Sequence, residues 1–97
     1  MYEIFYHRLV LAKDLRKIPA DHQKKIFKTI HKKLTSNPLE FGKPLLGELK
    51  NYYRLRIDPY RVIYRIESRK IIVFILHVGL RKDFSVYIES ARRLGLM

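Results

Sequence analysis

Cysteine is absent from the 97 residues, and with it go disulfides, thiolate zinc sites and a cysteine nucleophile. Acidic side chains are scarce: 9 Asp and Glu stand against 21 Lys and Arg, a net charge of +12. Nucleases that work with two metal ions gather carboxylates at one point. Between positions 52 and 87 the only acids are Asp58, Glu67 and Asp83, too dispersed for such a cluster. No apolar run approaches the roughly 18 residues of a membrane span. The opening MYEIFYHRLV carries Glu3, His7 and Arg8 among its apolar residues and lacks the order of a signal peptide. Internal repeats and low-complexity tracts are missing too, so the expectation is one cytoplasmic domain over 1–97 with no membrane contact.

What is abundant is arginine, in one particular stretch. From Tyr52 to Tyr87, Arg54, Arg56, Arg61 and Arg81 sit on short alternating apolar segments that close on a tyrosine. A guanidinium stays charged in a protein, and its planar fork fits phosphate oxygens two at a time. A charge of +12 also exceeds what solubility needs and opposes folding by self-repulsion. It therefore points to a polyanion, RNA first, or to an acidic protein partner. Basicity is spread along the chain, with ten basic and five acidic residues in 1–49 and eleven and four in 50–97.

The apolar periodicity predicts an α+β fold in the order β-α-α-β-β-β-α, an antiparallel sheet packed by N-terminal helices. Tyr2 to His7 reads as a strand, and Asp14 to Ile18 as the end of a short helix stopped by Pro19. Asp21 is expected to cap a second helix, in which Ile26, Phe27, Ile30 and Leu34 form the apolar stripe. Lys24, Lys25, Lys28, Lys32 and Lys33 fill its wet face and receive no site role. Residues 38–51, with two prolines and two glycines, read as an irregular connection. In the next strand Tyr53, Leu55 and Ile57 alternate with Tyr52, Arg54 and Arg56, which puts both arginines on one face. Asp58-Pro59 makes a turn, Tyr60 to Glu67 a strand, residues 67–70 a second turn. Lys70 to Val78 is apolar at nearly every position and belongs in the middle of the sheet. Asp83 to Leu94 forms the last helix, with Val86, Ile88, Ala91 and Leu94 available for packing.

The runs YYRLRIDPYRVIYRI and IIVFILHVGLRKDFSVY resemble the C-terminal half of the RelE/ParE toxin superfamily, and its RelE messenger-RNA interferase branch more than its gyrase-directed ParE branch. The element order is similar over almost the whole chain. The resemblance implies an endoribonuclease that enters the ribosomal A site and cuts the messenger without a metal or other cofactor. In such a reaction the 2'-hydroxyl of the RNA attacks the adjacent phosphorus, the 5'-oxygen leaves and a 2',3'-cyclic phosphate forms. The protein must stabilise charge at phosphorus and move two protons. By position, Arg61 and Arg81 match the family's arginines and would clamp the scissile phosphate, while Tyr87 matches its tyrosine and would orient the nucleotide or assist proton transfer. Arg54 and Arg56 stand where the interferases commonly carry lysines. An arginine is a poor general acid, so these two suit electrostatic stabilisation and substrate binding, with Lys82 beside them. The general acid stays open among His77, Lys82 and Lys50. Structural readings compete: cross-strand pairing of Arg54 and Arg56 with Glu67 or Asp83, a packed core role for His77, and an anchoring role for Tyr87.

The resemblance also implies partners: a cognate antitoxin, the ribosome with its mRNA, and operator DNA bound by the toxin–antitoxin complex. Two further readings remain, a ParE-like inhibitor of DNA gyrase without RNase activity, and a degenerate relative that binds only antitoxin and operator. An acidic amphipathic helix would both neutralise the basic face and cover apolar surface, which fits an antitoxin.

Overall fold

A computed structural model describes residues 1–80 and 85–95. The chain runs from strand β1 (Glu3–Tyr6) through a π-helical turn (Val10–Asp14) and a 3-10 turn (Leu15–Lys17) into helix α1 (Ala20–Leu34). Then come a short helix α2 (Pro38–Phe41), a two-residue strand β2 (Lys43–Pro44) and a 3-10 turn (Gly47–Leu49). Strands β3 (Tyr52–Ile57), β4 (Tyr60–Glu67) and β5 (Ile72–Leu80) precede helix α3 (Ser85–Arg93).

The strands form one five-stranded sheet in the order β1-β5-β4-β3-β2. It is mixed where a wholly antiparallel sheet is expected, because β1 lies parallel to β5, with Ile4 beside Val73 and Tyr6 beside Ile75. The helical stretch carries the chain from β1 to the opposite edge of the sheet, and β2 to β4 bring it back by antiparallel steps to β5 beside β1. β5 is internal as its apolar run implies, although β4 is the central strand. The segment 38–51 is more ordered than expected: Lys43 pairs with Arg54 and Pro44 with Tyr53, placing β2 at the sheet edge, where a proline is tolerated. Asp21 lies inside the first turn of α1 and makes no cap; Pro19 holds the cap position instead.

The core has two unequal layers. On one face α1 buries Ile26, Ile30 and Leu34 against Leu55, Ile57, Val62, Tyr64, Val73, Ile75 and Val78. Each of those three helix side chains contributes about 1.5–3 kcal/mol by leaving water. Phe27 is only partly buried and meets Tyr6 edge-on, while Lys24, Lys25, Lys28 and Lys32 face solvent. The other face carries a smaller cluster, Ile63, Leu76 and Val86, extended by Leu45, Tyr52, Phe74, Tyr87 and Leu94. Between Ile63 and Tyr64 the β4–β5 register slips, since Ile63 pairs with His77 but Tyr64 with Ile75. Leu76 is thus an extra residue on β5: it shares the α3 layer with Phe74, and the bulge returns Val78 to the α1 core beside Val73 and Ile75. Val86 and Ala91 are buried as expected of α3, but Ile88 is exposed.

Candidate active site

The α3 face of the sheet is where the arginines converge. Strand alternation sends Leu55 and Ile57 to the α1 core and leaves Arg54 and Arg56 on the opposite side. In the β3–β4 pairing Arg56 lies directly opposite Arg61, and Arg54 opposite Ile63. Like charges facing each other across strands destabilise a sheet, and an anion between them would offset that cost.

Tyr87, near the start of α3, brings the third component. Its hydroxyl oxygen accepts a hydrogen bond from Arg61 Nη1 at 2.7 Å and a longer one from Arg54 Nη1 at 3.4 Å. The Arg61 guanidinium lies 5.7 Å from the Tyr87 ring centroid. With two donors on the oxygen, the phenol's own proton is directed elsewhere, toward whatever acceptor occupies the face. The buried Nε atoms of Arg54 and Arg61 have no hydrogen-bond partner among the described residues. The helix approaches this closely because Gly79, opposite Arg61, has no side chain: a Cβ there would meet Val86 Cγ2 and His77 Cε1 at 2.8 Å.

The structure therefore brings Arg54, Arg61 and Tyr87 together, with Arg56 exposed at their edge. Arg81 and Lys82 lie outside the described residues, as does Asp83. Glu67, an expected partner for Arg54 or Arg56, sits instead beside Arg65 at 3.7 Å. Lys50 is exposed in the turn before β3. Beside Tyr87 an open groove of about 400 Å³ runs between α3 and residues 45–49, lined by Leu45, Leu46, Leu49, Ile88 and Ala91.

His77 does not fit the general-acid role. It is buried, its Nε2 lies 3.4 Å from Asp14 Oδ1, and burial pushes its imidazole down to about 4 despite the opposing pull of Asp14. A neutral imidazole at pH 7 has no proton of the required acidity to give. Its neighbours form a cluster that the sequence does not announce. Arg93 donates to both oxygens of Asp14 at 2.7 and 2.6 Å, to the Leu76 carbonyl at 2.9 Å and to Glu89 at 3.1 Å. Burial pushes the Glu89 carboxyl up, but hydrogen bonds and charge from Arg93 and Lys13 outweigh this and hold it below the usual carboxylate range. Arg65 was also missed, though it stands four residues after Arg61 on the same strand face; its guanidinium lies over Phe74. Among the described residues no three His, Asp or Glu side chains gather as a metal site, and no helix is long and apolar enough to cross a membrane.

Fold and site together define a small basic α+β protein that gathers two arginines and a phenol on one face of its sheet. Residues 4–83 match the family described as the ParE toxin of the type II toxin–antitoxin system parDE. Toxin RelG of Mycobacterium tuberculosis is 35% identical over 71 residues, covering 73% of this chain and 82% of its own. The mRNA interferase toxin RelE of Escherichia coli is 30% identical over 84 residues, 84% of this chain and 86% of its own. In the toxin–antitoxin complex RelBE2 from M. tuberculosis, one chain superposes with a TM-score of 0.77 at 32% identity, covering 84% of this chain and 93% of that one. The chain belongs to the RelE/ParE superfamily, the toxins of type II toxin–antitoxin systems, and to its RelE-like branch.

Proposed function

We propose that this toxin is a ribosome-dependent mRNA endonuclease that stops translation, as the name of its E. coli relative, an mRNA interferase, suggests. The observation that carries the proposal is the convergence of Arg61 and Arg54 on the Tyr87 hydroxyl. Cleavage through a 2',3'-cyclic phosphate requires charge stabilisation at phosphorus and a group that handles the 2' proton. Arg61, Arg54 and Arg56 supply the first, with Arg81 as a further clamp and Lys82 as a substrate contact. Tyr87 assists the proton traffic: its oxygen is held by guanidinium donors and its own proton can pass to the leaving 5'-oxygen, while water takes the 2' proton. The scattered carboxylates of the sequence suit a reaction without metal ions. The reaction would take place in the cytoplasm on translating ribosomes. A cognate antitoxin is the proposed partner, in line with the RelBE2 complex, and the pair would bind operator DNA.

The test is cleavage of ribosome-bound message in the presence of chelator, with the product ends sequenced. The expected result is cyclic phosphate ends, and a loss of 10²–10⁴-fold in Tyr87→Phe with the fold retained, the usual range for removing a proton-transfer group. Undiminished cleavage by Tyr87→Phe would show the site to be misassigned. Intact messages accompanied by DNA-damage signalling would favour a gyrase-directed activity.

A further inference from the structure

Helix α3 has nine residues, too few to hold its shape or place without tertiary contacts. Toward its start, Val86 packs on the sheet beside Gly79, and Tyr87 reaches the arginines. Its far end is fixed differently. The Arg93 side chain is 1% exposed and that of Asp14 3%, and the two are joined by a bidentate pair.

This pair sits where the sheet is incomplete. β1 ends at Tyr6, opposite Ile75, so among the described residues the next backbone groups of β5 on that edge have no strand beside them. Asp14 accepts the Val78 N–H at 3.0 Å and Arg93 donates to the Leu76 carbonyl at 2.9 Å. One acceptor and one donor thus continue the edge as a strand would, and both belong to a pair that also ends α3. Glu89 holds the remaining Nε of Arg93, and Lys13 lies 3.5 Å from Glu89.

We infer that Asp14 and Arg93 are positioning residues for the reaction: by locking the end of α3 to the β5 edge they set where the Tyr87 hydroxyl meets Arg61 and Arg54. A hydrophobic contact alone would fix the depth of a short helix but not its rotation or its travel along the sheet. A bidentate pair bound to two backbone groups fixes both. The kinetic part of this inference rests on the proposed nuclease activity; the placement of Tyr87 does not.

The experiment compares Arg93→Lys, which keeps the charge but loses the fork, and Asp14→Asn, which keeps the shape but loses the charge. Two readouts are taken on the full chain: the ring ¹³Cζ signal of Tyr87, assigned by its disappearance in Tyr87→Phe, and the cleavage of ribosome-bound message. The expected result is a displaced Tyr87 signal with those of Tyr53 and Tyr64 unmoved, and a fall in kcat of about ten- to a hundredfold with KM unchanged, the scale of an ångström-sized misplacement. An unmoved Tyr87 signal or an undiminished kcat in either folded variant overturns the inference. Should both variants fail to fold, Glu89→Gln takes their place, and an unmoved Tyr87 signal there overturns it equally. If the wild-type chain leaves messages intact, the nuclease reading fails while the Tyr87 signal still decides the positioning.

Discussion

His77 shows how one side chain can take a different role from the one its residue type suggests. Histidine is the ordinary choice for proton transfer near neutrality, and here it lies on the strand leading toward the site. Burial among Leu76, Val78 and Asp14 instead makes it an acid-sensitive element of stability. Unfolded, the imidazole titrates near 6.5; folded, it titrates at about 4. Between those values the unfolded chain binds the extra proton, so the stability is whole above pH 6.5 and drains away as the pH falls toward 4. The total is about 3 kcal/mol for a shift of this size. Denaturant titrations at pH 7, 5.5 and 4 are expected to show this loss, and a His77→Gln variant to lose markedly less over the same window. An equal acid slope in the two proteins would remove His77 as its source.

At the scale of elements, α3 depends on Gly79. A methyl group there collides with Val86 on the helix and with the His77 ring, neither of which is free to move far. Gly79→Ala is expected to lift α3, destabilise the fold by about 1–3 kcal/mol as an overpacked contact does, and lower cleavage by more than the loss of folded protein explains. Thermal melting together with specific activity at a temperature where the variant is fully folded checks both parts.

The elements also differ in how far they could be read beforehand. Alternation in Tyr52–Ile57 separates Arg54 and Arg56 from Leu55 and Ile57 because a strand has a period of two, and the structure keeps that division. The amphipathic stripe of α1 is equally plain. The bulge at Leu76 is not, since one extra residue breaks the period inside a run that is apolar at nearly every position and so shows no alternation to interrupt. β2 escapes notice because two residues, one a proline, carry no period at all. The meeting of Arg61 with Tyr87, 26 positions on, came from family resemblance and has no local signal. The Asp14–Arg93 pair, 79 positions apart, had not even that.

Over the whole molecule the charge of +12 is divided by the sheet into two surfaces of different character. The lysines of α1 lie on one side, spaced around a wet helical face, and the arginines converge on the other. Binding of single-stranded RNA should weaken with salt, each arginine that meets a phosphate contributing about 0.7 to the slope of log K against log salt. Arg56→Ala is therefore expected to lower the slope by about 0.7, and the double change Lys24→Ala and Lys25→Ala to leave it unaltered. Equal slope changes for the two faces would mean that charge alone, without the α3 face, governs binding.

The order of the site along the chain has a consequence during synthesis. Arg54 and Arg61 lie on β3 and β4, which emerge from a ribosome before β5, while Tyr87 follows on the helix after it. A two-stranded β3–β4 hairpin is marginal by itself, so the arginines have no fixed arrangement until β5 completes the sheet beneath them. The arginines and the phenol therefore come together only once α3 has closed over the completed sheet.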